Sequence, residues 1–228
     1  MEQGSLEWFK DRIGKITSTM ALDIYNANPN KWRSMLAKMK RETSWTEAEI
    51  VEAQIKAEEL GNKIPAMRRG KELESRAIGL WEMGEVGVEV VVSPGTHHPD
   101  YPFCRASEDF GGTKIEAEQK LSISGEVKTR SSYKEAEKRR KHGAQAAEYT
   151  QLQWHGWCRQ SDLLVYIDYC PDHPIKKDVL FVEYHSPDMD MWDQFERNAK
   201  KFYEHFQKGT DPEDNSGQRA VDGLPAMH

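Results

Sequence analysis

Long apolar runs, paired cysteines and a surplus of positive charge are all missing from this chain. None of its hydrophobic stretches approaches membrane-spanning length, which argues against a membrane-embedded protein. The start, Met1-Glu2-Gln3-Gly4-Ser5, lacks the basic and apolar regions of a secretory signal, so a cytoplasmic location is expected. The three cysteines, Cys104, Cys158 and Cys170, are scattered and odd in number. They read as buried free thiols in a reducing compartment rather than a disulfide framework or a zinc site. The formal charge of −6 argues against a passive nucleic-acid coat. It leaves room for an enzyme whose basic residues gather around a groove, because the local field decides binding. No repeat or linker divides the 228 residues, and a chain of this length buries a sizeable core. Residues 1–208 are expected to form one domain, and 209–228, dominated by Gly, Pro, Asp, Asn and Ser, a mobile C-terminal tail.

What the chain has in quantity is charge, at 31% of residues, and one stretch concentrates it usefully. Between Arg105 and Lys128 lie Ser107-Glu108-Asp109-Phe110-Gly111-Gly112 and then Glu126-Val127-Lys128. On a strand, Glu126 and Lys128 share one face and Val127 takes the other. An upstream acid followed by Glu-x-Lys suits a metal-dependent phosphodiesterase. Its carboxylates hold a hard divalent cation, and the ammonium orients or activates water. A solvated strand face with an incidental salt bridge would leave the same residues. A second copy, Glu118-Gln119-Lys120, competes with the first. Gly125 before Glu126 and Gly111-Gly112 after Asp109 place turns beside both carboxylates and favour 126–128. Ile115, Ala117, Leu121 and Ile123 read as one alternating register, with Glu116 and Glu118 on the solvent face.

The first third reads as helical. Leu6, Trp8, Phe9, Ile13 and Ile16 form a short amphipathic start broken at Gly14, and Thr17-Ser18-Thr19 caps a helix over 20–26. A helix covers 31–40, and Thr46 with Glu49 forms a capping box for one ending at Gly61. Arg68-Arg69-Gly70-Lys71 leads into a further helix with the stripe Leu73, Ala77, Leu80, Trp81, and Glu74 sits at its border. Strands are expected over 86–92 and 103–107. One long helix over 134–160 starts with the basic run Lys134, Lys138, Arg139, Arg140, Lys141, which is either a solvated face or a phosphate contact. Strands over 163–169 and 179–184 form a hairpin, and Met191, Trp192, Phe195, Ala199, Phe202 and Phe206 mark a final amphipathic helix. The order describes a mixed α/β domain with a central sheet.

Several motifs in order, taken together, resemble the phage lambda exonuclease type of PD-(D/E)xK nuclease, over roughly 8–206. They are Trp8 with Arg12 and Gly14-Lys15-Ile16-Thr17-Ser18-Thr19; Gly70-Lys71-Glu72-Leu73-Glu74; Ala106-Ser107-Glu108-Asp109; Glu126-Val127-Lys128; and Tyr149 with Gln151-Leu152-Gln153. The resemblance implies a restriction-endonuclease-like α/β core, a central mixed sheet flanked by helices. It implies that Asp109, Glu126 and the Val127 carbonyl bind Mg²⁺, with Mn²⁺ able to substitute. Lys128 then positions or activates water, Glu74 assists at the metal site, and Gln153 supports the lysine and the nucleophile. Arg12, Thr19 and Ser107 match the positions that hold a terminal 5′-phosphate. The implied activity is 5′–3′ digestion of one strand of linear double-stranded DNA, leaving 3′ overhangs for recombination in a bacterial or phage-infected cell. A ring-shaped homotrimer and a single-strand-annealing protein are the implied partners. An endonuclease or helicase-associated nuclease of the same fold, or a non-catalytic module that binds DNA ends, are the alternatives. Three cysteines exclude a four-thiolate iron–sulfur variant. Two departures from the pattern stand out: Glu108 replaces the usual proline, and Phe110 the usual glycine. The segment from Asp109 to Glu126 is also long.

Overall fold

A computed structural model describes residues 4–91, 95–172 and 177–212. The chain opens with α1 (Leu6–Arg12), a two-residue strand β1 (Ile16–Thr17) and a 3₁₀ turn at Ser18–Met20. Three helices follow: α2 (Ala21–Asn26), α3 (Pro29–Thr43) and α4 (Glu47–Lys63). The expected capping box opens α4, with Thr46 and Glu49 bonded reciprocally. Helix α5 (Pro65–Gly84) starts earlier than expected, because Pro65 occupies its first turn, where a missing N–H costs nothing. The strands β2 (Val88–Val91), β3 (Thr96–His97), β4 (Cys104–Ala106), β5 (Phe110–Glu116) and β6 (Gln119–Thr129) come next. The chain closes with α6 (Tyr133–His142), α7 (Ala146–Arg159), β7 (Leu163–Cys170), β8 (Val179–His185) and α8 (Met189–Lys208).

A five-stranded mixed sheet runs β2-β5-β6-β7-β8, with every neighbour antiparallel except β6 and β7. That parallel pair needs a crossover, and α6 with α7 supplies it. On one face α5 buries Ala77, Ile78 and Trp81 against Phe110, Ile123, Val127, Val165 and Ile167. On the other, Leu152 of α7 meets Leu164 and Tyr166. The outward side of α7 joins α2, α3 and α8 in an aromatic core containing Trp32, Trp154, Trp157, Trp192 and Phe195. A small sheet, β1-β4-β3, is tied to α7 by the Trp154 indole, which donates to the Arg105 carbonyl at 3.1 Å. The three cysteines are buried and free. Among the described residues no helix is long and apolar enough to cross a membrane.

Four expectations require correction. Gly111-Gly112 and Gly125 form no turns; they lie inside the paired strands β5 and β6. The helix expected over 134–160 is two helices. Gly143 breaks it at φ 69°, and Gln145 with Glu148 restarts it through a capping box. The segment expected as one alternating register over 115–123 is a hairpin instead. Its turn, Ala117-Glu118, has φ values of 48° and 68°, so the period of two is interrupted and Ile115 is 58% exposed. Finally, Thr17-Ser18-Thr19 forms no side-chain helix cap; the Thr17 and Thr19 hydroxyls bond each other at 3.1 Å. Gly209 ends α8 at φ 69°, and the buried Pro212 accepts from Arg33 Nη2 at 3.2 Å. The rest of the expected tail, 213–228, lies outside the described residues.

Candidate active site

The β5–β6 hairpin explains how two acids far apart in sequence meet. Phe110 pairs with Gly125, so the chain just before Phe110 runs beside the chain just after Gly125. Asp109 N–H donates to the Gly125 carbonyl at 3.1 Å, and Val127 N–H donates to Asp109 Oδ2 at 2.7 Å. Gly125 is required here, since a Cβ would lie 2.0 Å from the Phe110 ring. The rival Glu118-Gln119-Lys120 sits at the exposed closed end of the same hairpin, where Glu116 pairs with Gln119. From Lys120 to Glu126 the strand rises about 20 Å. The hairpin therefore brings Asp109 to Glu126 and leaves the rival out.

On β6, Glu126 and Lys128 share a face as the alternation requires, and the Lys128 ammonium pairs with Glu126 Oε1. Glu126 is buried, and its Oε2 lies 3.3 Å from Nδ1 of the fully buried His155 on α7. Half-buried Glu74 sits one turn before the sheet-facing residues of α5. Burial, then the Glu126 charge, pushes its carboxyl up to about 7, while Lys128 pulls it back. Asp109 is also raised well above the usual carboxylate range, first by burial, then by Glu126 and Glu74. Burial alone would lower the Lys128 ammonium, but Glu126, Asp109 and Glu148 outweigh it and hold it protonated. Burial lowers His155 and keeps the ring neutral, although Glu126 and Glu108 oppose this. The groups form one electrostatic unit with too much negative charge for its burial.

Such a unit suits a cation. Among the described residues no group of three or more His, Cys, Asp or Glu side chains stands ready as a metal cage. The physical reason is visible: the Lys128 ammonium sits on Glu126 Oε1 and the Val127 N–H on Asp109 Oδ2. The donor set itself fits a hard divalent ion, with two crowded buried carboxylates and the Val127 carbonyl beside them.

Behind Lys128 lies a network that the sequence did not single out. Arg130 donates to Asp168 Oδ1 at 2.6 Å, to Tyr166 Oη at 2.8 Å and to Glu148 Oε1 at 3.1 Å. It locks the end of β6 to β7 and α7, and Asp168 is the register partner of Lys128. Gln153 is not brought to Lys128. Its amide donates to Tyr149 Oη and the Ser186 carbonyl, both at 3.1 Å, and accepts from Asp188 N and Trp192 Nε1 at 2.9 and 3.0 Å. All four hydrogen-bonding positions are filled: by Tyr149 one turn earlier on α7, by Ser186 and Asp188 in the segment leading into α8, and by Trp192 in α8. Gln151 is half-buried, one turn from both Glu148 and His155, and makes no hydrogen bond to the described residues. Glu108, which stands in place of the usual proline, points inward. It is fully buried, accepts from Thr96 Oγ1 at 2.6 Å and pairs with Arg159 at 3.3 Å.

A second cluster begins two residues before Asp109. Arg12 Nη1 donates to Ser107 Oγ at 3.2 Å, and Arg105 Nη1 donates to the same hydroxyl at 2.6 Å. Both guanidiniums lie against the Trp8 ring, 4.2 and 5.4 Å from its centroid. Arg105 is neutralised by Asp11 at 2.6 Å, and Asp11 also faces His97 at 3.0 Å. Burial, then the neighbouring Arg105, lowers Arg12 to about 10, which marks a cation short of negative partners. Thr17 is the parallel strand partner of Arg105, so Thr19 and Ser107, each two residues further on, leave the same end of that pair. Arg105 was missed because an arginine inside a short strand reads as an edge residue.

No family model and no curated protein matches this sequence. Among solved structures, the chain is similar to an alkaline exonuclease, LHK-Exo, from Laribacter hongkongensis, at 19% identity and a TM-score of 0.70. The match covers 90% of this chain and 94% of that one. LHK-Exo in complex with dAMP matches over the same shares, at 18% identity and a TM-score of 0.63. The fold, a mixed-sheet α/β core flanked by helices, is thus one that this chain shares with that alkaline exonuclease.

Proposed function

We propose that this protein is a Mg²⁺-dependent 5′–3′ exonuclease that digests one strand of linear double-stranded DNA. The observation that carries the reading is the junction of Asp109 with Glu126-Val127-Lys128 across the hairpin, two residues from the arginine–serine cluster. Asp109, Glu126 and the Val127 carbonyl would hold the ion, with Glu74 beside them and Mn²⁺ as a substitute. When bound there, Mg²⁺ supplies Lewis-acid charge to the phosphoryl oxygens. Lys128 orients the attacking water, and Gln151, whose amide makes no hydrogen bond to the described residues, takes the supporting place expected of Gln153.

Arg12, Ser107 and Thr19, joined by Arg105, grip the terminal 5′-phosphate and set the first phosphodiester over the carboxylates. Water attacks phosphorus, the bond to the 3′ oxygen breaks, and that oxygen leaves as the 3′ hydroxyl of a mononucleotide. The shortened strand then carries a new 5′-phosphate, the group the arginine cluster recognises. The remaining 3′ overhang suits recombination by strand annealing with a single-strand-annealing partner, in the cytoplasm of a bacterial or phage-infected cell. The further proposal, a ring-shaped homotrimer, needs a surface for self-association, and an exposed apolar patch at the sheet edge is a candidate for it, with Met83, Val86 and Ile115 78%, 88% and 58% exposed.

The test is digestion, in Mg²⁺, of linear duplex DNA with a 5′-phosphate and of closed circular DNA, by wild type and Lys128→Ala. Mononucleotides from the linear form alone, lost on substitution, are expected. Cutting of the circle would replace the reading with an endonuclease. A folded wild type that cleaves neither would be a DNA-end-binding module.

A further inference from the structure

The stripe of α7 that faces the sheet is Glu148, Leu152, His155 and Arg159, spaced at helical turns. Leu152 packs on Leu164 and Tyr166. Each polar member meets a polar partner of complementary kind: Glu148 meets Arg130 at 3.1 Å, Arg159 meets Glu108 at 3.3 Å, and His155 meets Glu126 at 3.3 Å. The first two are charge pairs. The third is different, because both His155 ring nitrogens and Glu126 Oε2 are buried with no hydrogen-bond partner among the described residues. A buried polar atom without a partner is expensive, and two such atoms facing each other are satisfied by one small rotation.

We infer that His155 is the positioning residue for Glu126. Its imidazole donates from Nδ1 to Glu126 Oε2 and thereby aims Oε1 at the cation. The inference rests on the metal site proposed above. A carboxylate with two free oxygens rotates about its last bond, whereas one held from behind presents a single oxygen in a fixed direction. The Lys128 ammonium on Oε1 marks that direction, since it lies on the oxygen opposite the histidine. A purely packing role would need only the ring's volume. The geometry instead calls for a donor at one atom.

The experiment measures Mn²⁺ binding by calorimetry and by electron paramagnetic resonance, on the full chain without DNA. It compares wild type, His155→Leu and His155→Asn, each checked for folding by circular dichroism. Asparagine places an amide N–H near the Nδ1 position, while leucine fills similar space with no donor. The expected result is a loss of about 10- to 100-fold in Mn²⁺ affinity for His155→Leu, with His155→Asn within about threefold of wild type. Wild-type affinity in folded His155→Leu overturns the inference and leaves the metal site standing. So does an equal loss in both variants, which marks a volume effect. If His155→Leu fails to fold, His155→Asn decides alone, because its affinity must then stay near wild type. A folded wild type that binds no Mn²⁺ overturns the metal-site reading and this inference with it.

Discussion

Val127 donates its backbone N–H to Asp109 Oδ2 at 2.7 Å, across 18 residues of chain. The bond gives Asp109 a structural duty, holding the hairpin's open end, and leaves its other oxygen for the proposed cation. It also makes the two duties separable. Asp109→Asn keeps an acceptor for Val127 N–H, so its thermal unfolding midpoint should equal or exceed that of the metal-free wild type. Cleavage of linear DNA should fall by about a hundredfold or more. A variant that loses both stability and activity would mean that the carboxylate is needed for the fold.

Lys128 neutralises Glu126, whose side chain is 3% exposed. Lys128→Ala leaves that charge buried without its ammonium and should cost roughly 1–3 kcal/mol in urea unfolding. Mg²⁺ should restore part of the loss, since a divalent ion takes the place of the ammonium. Urea midpoints with Mg²⁺ and with EDTA give the comparison, and equal loss in both would remove the ion from Glu126.

Glu74 carries a pH signature. Its carboxyl rises from an ordinary 4.5 to about 7 in the fold, through burial and then the Glu126 charge. The folded protein therefore holds this proton more tightly than the unfolded chain. The contribution to stability is full below about pH 4.5 and is lost as pH rises through about 7. In EDTA, Glu74→Gln should gain on wild type over that window, reaching roughly 1–2 kcal/mol at pH 8. With Mg²⁺ present the gain should shrink, because the ion favours the charged carboxylates. Thermal melts across pH give both curves.

The two arginines at Ser107 should separate binding from stability. Arg12→Ala should leave unfolding nearly unchanged and reduce the preference for a 5′-phosphate over a 5′-hydroxyl end by about tenfold or more. Arg105→Ala removes the guanidinium from Asp11, which keeps its contact with His97, and empties a site that is 1% exposed, so it should lower the urea midpoint markedly. Degradation rates on the two kinds of linear end, read beside unfolding curves, decide it.

The two glutamines of α7 should divide in the same way. Gln153→Ala removes a buried amide with four hydrogen bonds and should cost roughly 2–4 kcal/mol. Gln151→Ala should leave stability within about 0.5 kcal/mol and lower kcat. The opposite pattern would return the supporting role to Gln153.

Local chemistry determined much of this protein from the sequence alone. The Thr46–Glu49 box, the stripe of α8, the last two strands and the shared face of Glu126 and Lys128 depend on residues within one helical turn or one strand step. Their periodicity is written in the chain. Tertiary structure decided the rest. Positive φ at Ala117 and Glu118 turned an apparent single strand into the hairpin that carries Asp109 to Val127. Strand register placed Arg105 beside Arg12, and the crossover helix set His155 behind Glu126 and bound Gln153 to the start of α8. These contacts join residues far apart in the chain, and no local pattern encodes which pairs will meet. Burial then set the charge states, since an acid's environment exists only once the chain has closed around it.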